Sequence, residues 1–147
     1  MKNRYQMLFV LVAGTFISAA HAKGLYDQSQ LDQFERTNKC INCDLSNARI
    51  SVNHSGANLE GSNLSGIGGI QAQQLNFSAA NLKNANLSGA YLEFGNFSNA
   101  DFTGAHIDGA YTRYANFSGA IGLDLKNAVD ACSVILPDGT VTKDCRA

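Results

Sequence analysis

Cys40 and Cys43, separated by Ile41-Asn42, form a Cys-x-x-Cys pair, the spacing of a redox-active dithiol. In thioredoxin-like oxidoreductases that pair opens a helix within a βαβ unit, and no such alternation surrounds Cys40. A structural disulfide is therefore the preferred reading, with thiol-disulfide exchange at Cys40/Cys43 the enzymatic alternative. A four-thiolate zinc site would have to unite these cysteines with Cys132 and Cys145, far along the chain. His54 and His106 have no serine or cysteine placed beside them by any recognisable motif, so solvated histidines are expected. Asp101 and Asp108 read as a solvated outward pair, and no glycine-rich phosphate loop occurs. The residues thus predict no catalytic group, no metal and no cofactor.

The elements that hold these residues begin after residue 22. Lys2 and Arg4 precede an uncharged apolar stretch, Leu8 to Ala20, which ends in Ala20-His21-Ala22, a small-x-small cleavage pattern. Residues 1–22 are expected to be a secretory signal peptide, with the mature chain in the periplasm or outside the cell and no stable membrane insertion. The whole chain has a net charge of −1, and removing Lys2 and Arg4 takes it to −3. Neither a basic nucleic-acid footprint nor an extreme acidic surface is present. All four cysteines lie past the cleavage point, an even number in an exported chain, which reads first as two disulfides.

From Leu75 to Gly119 the chain divides without a gap into nine blocks of five: LNFSA, ANLKN, ANLSG, AYLEF, GNFSN, ADFTG, AHIDG, AYTRY and ANFSG. The third positions are Phe77, Leu82, Leu87, Leu92, Phe97, Phe102, Ile107, Thr112 and Phe117, and alanine holds seven of the nine first positions. Two further pairs of blocks start at Cys43 and Ala57. Asn53–Gly56, one residue short of a block, and Ile67–Gln74, two short of a double block, interrupt the phase.

A five-residue period turns about 500° on an α-helix and flips faces on a flat strand, so it forms a stripe on neither. The chain must turn a corner in every block. First and third positions then share an inward face, large residues at one and alanine at the other, while the second, fourth and fifth point outward. Each block buries too little to stand alone, but stacked turns bury a continuous apolar column.

These A-N/D-L/F-x-x blocks resemble the pentapeptide-repeat family over Cys43 to Asp124. The resemblance implies an all-β, right-handed quadrilateral β-helix with four blocks per turn, about four turns and a height on the order of 20 Å. The chain is thus expected to divide into a signal peptide (1–22), an N-terminal cap with a short helix (23–42), the solenoid (43–124) and a C-terminal cap (125–147). TNKCINCDLSNA is similar to the lead-in of exported family members. Ser29 with Asp32 reads as a capping-box-like start to a helix that sets Leu31 and Phe34 on the first turn. Ser133–Leu136 and Thr140–Lys143, flanking Pro137-Asp138-Gly139, predict a hairpin. A two-residue turn there would put Cys132 opposite Cys145, and a three-residue turn would slip that register by one. Ends of a column of the implied height cannot be bridged by a disulfide, so Cys40 is expected to pair with Cys43 and Cys132 with Cys145.

Tyr91, Phe94, Tyr111 and Tyr114 fall at outward positions, each pair 20 residues apart and hence stacked on one side of the column. They form a candidate interaction surface, or a ladder that only stabilises adjacent turns. The expected function is a non-enzymatic structural or protein-interaction module, its partner another protein, with a homodimer by end-to-end or face packing a further option. The family also suggests a DNA mimic that binds topoisomerases. Six acidic against four basic residues between Cys43 and Val129 give too sparse a charge for that, since duplex DNA carries one charge per ~1.7 Å.

Overall fold

The computed structural model describes residues 26–68 and 74–143. Residues 1–22, read above as a signal peptide, and Cys145 lie outside the described residues. In the regular part, Asn76 pairs with Asn96, Asn96 with Asn116, Asn81 with Asp101, Asn86 with His106 and Tyr91 with Tyr111, always in parallel and always 20 residues apart. Four blocks therefore make one turn of a β-solenoid built from single bridges rather than long strands. Lys39, Asn58, Asn81, Asp101 and Ile121 make one vertical row of bridges, which at ~4.8 Å per step is about 19 Å.

Each backbone N–H in a block has its own destination, and this accounting explains the residue types. Asn76 donates up to Val52 (2.7 Å), Phe77 and Ala79 donate down to Asn96 (2.7 Å) and Ser98 (2.8 Å), and Ala80 donates back to Phe77 (3.0 Å), closing the corner. The fourth residue, Ser78, is left over, and the Asn76 side chain accepts its N–H at 3.1 Å. Asn81, Asn86, Asn96, Asp101 and Asn116 do the same for Lys83, Ser88, Ser98, Thr103 and Ser118. Asparagine or aspartate at the second position thus completes the backbone's hydrogen bonding. The same amides also join turn to turn, as Asn76 does to Asn53 and Asn96 to Asn76. The fifth residue is left-handed in block after block, φ being 55° at Asn84 and 59° at Asn99, hence its bias to asparagine and glycine.

The interior is a column of third-position side chains. Phe77, Leu82, Leu87, Leu92, Phe97, Phe102, Ile107 and Phe117 are all buried, as are most of the first-position alanines. Thr112 is the polar exception, fully buried with its Oγ1 lacking any hydrogen-bond partner. A buried hydroxyl left unpaired costs about 1–3 kcal/mol. Thr112→Val keeps the branched shape and removes the stranded group, so its thermal midpoint should rise by a few degrees. A lowered midpoint would show that the hydroxyl is paired.

The repeating bond pattern continues outside 43–124 at both ends: Lys39 pairs with Asn58, Val129 with Tyr111 and Ile135 with Asn116. The first irregular turn is 19 residues, Asp44 pairing with Asn63. Across the second interruption Asn58 pairs with Asn81 and Asn63 with Asn86 at a spacing of 23, three residues more than the regular turn. Ile67 is buried in a first-position slot and its carbonyl accepts from Tyr91 (2.9 Å), leaving three residues more than a block before the next corner.

Helix α1, Gln28–Thr37, closes the N-terminal end, burying Leu31 and Phe34. Its N-cap is Asp27, which accepts from Ser29 N and Gln30 N; Ser29 instead donates its hydroxyl to Asp27 (2.7 Å). The expected cap at Ser29 is therefore two residues late, Asp27 taking the free N–H groups of the first turn. At the other end Ile135 pairs antiparallel with Val141, Leu136 N donates to Thr140 O (2.7 Å) and Gly139 N to Leu136 O (2.9 Å). This is the three-residue turn of the two considered, with Gly139 left-handed at φ 83°.

Candidate functional site

The Cys-x-x-Cys pair is oxidised, Cys40 to Cys43 with Cα atoms 5.5 Å apart. Both residues are buried, and the Ser62 hydroxyl, standing where alanine is usual, donates to Cys40 O and accepts from Cys43 N. The disulfide packs under α1, Cys40 Sγ lying 3.5 Å from Gln30 O, and disulfide exchange would need a thiolate to reach one of its sulfurs. Cys132 is also disulfide-bonded, while its expected partner Cys145 lies outside the described residues.

His54 overturns the expectation of a solvated side chain. Asn53–Gly56 is a block that lacks its first residue, so His54 falls in the third, inward slot and is 3% exposed. Its N–H donates to Asn76 O (2.8 Å), as Leu59 does to Asn81 O (2.9 Å). The imidazole stacks on Phe34 of α1 (centroids 4.2 Å) and on Phe77 (5.8 Å), continuing a column through Phe97 and Phe117. Its Nδ1 lies 2.8 Å from Asn38 Oδ1 and its Nε2 3.0 Å from Ser51 Oγ.

Hydroxyl, imidazole and orienting amide in that order match the layout of a hydrolase's nucleophile and base. Glu35 opposes that use. Its carboxylate accepts from both Ser51 N and Ser51 Oγ at 2.7 Å, so an oxyanion forming beside Ser51 would face a negative charge, with the serine's own N–H already occupied. The cluster instead fastens α1 to the first turn. His106 is exposed at a second position. Asp101 is held below the usual carboxylate range by hydrogen bonds from Thr103, aided by Lys83 at 3.2 Å, and Asp108 accepts from Asn127 (2.7 Å). Among the described residues no group of three or more acidic, histidine or cysteine side chains is arranged to hold a metal.

The outward aromatics gather on one side of the column, formed by blocks 90–94 and 110–114. Tyr91 and Tyr111 stack with centroids 5.0 Å apart and planes 6° from parallel; Phe94 and Tyr114 stack at 4.9 Å and 22°. Phe94 is 50% exposed, and the other three rings are half-buried. Between the two stacks Arg113 reaches Asp130 at 2.6 Å.

The stacks differ in what their backbone costs. Tyr91 and Tyr111 occupy second positions on bridged, extended chain. Phe94 and Tyr114 occupy fifth positions at φ 58° and 59°. The fold imposes the left-handed conformation on whatever residue stands there, Ala79 included, at about 1–2 kcal/mol for a residue with a Cβ. An aromatic pair contributes about 0.5–1.5 kcal/mol beyond the apolar area it buries, set here against that backbone cost at two residues. Stacking at Tyr91/Tyr111 carries no such backbone cost, whereas at Phe94/Tyr114 it is set against a left-handed conformation, the kind of local cost that clusters at functional sites.

Comparison with known proteins agrees with this architecture. A family model described as pentapeptide repeats matches residues 73–109 and 96–128, with eight copies. No curated protein matches the chain by sequence. Among solved structures, it is similar to HetL, a pentapeptide repeat protein involved in heterocyst differentiation regulation from the cyanobacterium Nostoc sp. strain PCC 7120, at 26% identity and a TM-score of 0.46 over 70% of this chain and 48% of that one. It thus spans about half the length of HetL. QnrB1, a plasmid-mediated fluoroquinolone resistance protein, is similar at 19% identity and a TM-score of 0.37, covering 71% of this chain and 77% of that one. A pentapeptide repeat protein of the Arabidopsis thaliana thylakoid lumen follows at 20% identity and a TM-score of 0.26, covering 74% of each chain. At these scores the likenesses add nothing to what the bridges already show.

Proposed function

Because this chain belongs to the pentapeptide-repeat family, we propose that it is an exported, non-enzymatic scaffold that holds a protein partner against the side bearing Phe94 and Tyr114. The single observation that carries the reading is the pair of aromatic residues kept, one of them half exposed, at backbone positions where asparagine or glycine would be more stable. The right-handed quadrilateral winding and the export to periplasm or exterior come from the resemblance and from residues 1–22. A DNA-mimic role finds no support in the surface: Lys83 neutralises Asp101 and Arg113 neutralises Asp130 on the column's flank.

The two stacks give the test. Phe94→Asn with Tyr114→Asn suits the left-handed backbone, so the double variant should melt at or above the wild-type temperature while losing the partner captured by crosslinking in exported fractions. Tyr91→Ser with Tyr111→Ser should lower the midpoint by a few degrees, since it removes a stack worth about 1 kcal/mol without relieving any strain. If the asparagine variant melts lower and still captures the same partner, Phe94 and Tyr114 are a stabilising ladder and the proposed surface is wrong.

A further inference from the structure

His54 is the buried titratable group that the proposed surface does not use. It sits at the seam between α1 and the column, with Phe34, Glu35 and Asn38 on the helix side and Ser51 and Phe77 on the solenoid side. Its proton positions follow from its partners. Asn38 Nδ2 donates to Ser55 O (2.9 Å), which turns Oδ1 toward the ring, so Nδ1 carries the hydrogen. In the neutral ring Nε2 is then an acceptor 3.0 Å from Ser51 Oγ, whose single hydrogen serves either Nε2 or Glu35 Oε2, the latter 2.7 Å from the same oxygen.

We propose that His54 is a proton-operated latch: its neutral form holds α1 on the column, and proton uptake at Nε2 releases the helix and uncovers the apolar end of the interior. An imidazolium at this site would be enclosed between two phenyl rings without its hydration shell. The phenyl faces attract a cation only weakly beside what that shell supplied. Among the described residues Glu35, 3.6 Å from Nε2, is the one charged side chain set against the ring; Asn38, Ser51, Phe34 and Phe77 carry no charge. Both Glu35 oxygens already accept from Ser51. Burial accordingly pulls the imidazole below its ordinary value despite Glu35.

A histidine held low in the closed state binds its proton more readily in the open one, so closure is strongest above the ordinary imidazole range and weakens as pH falls through it. The carboxylates of the cap act in a separate, lower window. The Ser29 hydroxyl bond holds Asp27 low, and although burial pushes Glu35 up, the Ser51 hydrogen bonds and the imidazole pull it below the usual value.

Hydrogen exchange of the α1 amides at pH 7.5 and pH 5.5, corrected for the intrinsic rate, reads the latch directly. Protection should fall at pH 5.5 by up to about tenfold, the limit for an imidazole that titrates near 6.5 only when open. His54→Phe, which retains the ring stack, should show no such fall, and Glu35→Gln should show one at least as large as the native protein's. Equal protection of the native helix at both pH values, or an unchanged fall in His54→Phe, overturns the proposal. Should that variant not fold, an imidazole NMR titration of the native protein decides: a midpoint below about 6.5 supports the latch and one at or above it refutes it.

Discussion

Phe97→Ala should lose about 3–5 kcal/mol, read as a lowered urea midpoint, a large part of the roughly 5–15 kcal/mol available to a small domain. Phe97 is fully buried at the third position and lies between Phe77 (5.9 Å) and Phe117 (5.2 Å), with Phe102 beside it at 6.0 Å. Truncation therefore removes a rung that three others lean on, and the surrounding backbone cannot collapse into the gap because every turn is bonded above and below. A solenoid's turns contact only their neighbours, so a missing central rung should also part the two ends energetically and broaden the unfolding transition. Phe94, three residues earlier but half exposed, is the control: Phe94→Ala keeps the same left-handed backbone and should cost only about the 0.5–1.5 kcal/mol of its stack on Tyr114. Equal losses at the two positions would mean that burial at the third position is not what stabilises the column.

The contrast between Phe97 and Phe94 was legible from the five-residue period, because inward and outward follow from block position alone. The reasons behind two other positions were not. Asparagine at the second position looks like surface polarity in the sequence; its purpose shows only when the fourth residue's N–H is found without a backbone acceptor. His54 was missed because the block that contains it lacks a first residue, so counting in fives slides past it. The signal was present: Asn53-His54-Ser55-Gly56 repeats Asn63-Leu64-Ser65-Gly66 with imidazole in the leucine's place. Once the deletion is allowed, the histidine is inward by the same rule that places Leu64. The Ser51–Glu35 contact could not be read, since it joins a helix to a corner through side-chain reach rather than through any repeat.

Gly95 supplies the second large effect, and it tests whether the interior is filled to a particular shape. Seven of the nine regular blocks begin with alanine, yet here glycine stands at the first position. Backbone freedom is not the reason, because Gly95 is absent from the residues of positive φ. Space is the reason: a Cβ at Gly95 would stand 2.4 Å from Phe97 Cε2 and 2.9 Å from Leu92 O. The ring cannot retreat without breaking its stack with Phe77 and Phe117, and Leu75, a buried leucine at the first position one turn above, already fills the volume on that side. Gly95→Ala should therefore destabilise by about 1–3 kcal/mol, although alanine is what the repeat prefers at this position. Phe97→Leu removes Cε2, and in that background the same glycine change should cost much less, a coupling of about 0.5–3 kcal/mol. Some cost should persist, since Leu92 O remains in place. If the two changes prove additive, the ring yields freely and phenylalanine at 97 is only a large apolar residue; a coupling of the stated sign means that glycine and phenylalanine were fitted to each other across one corner of the column.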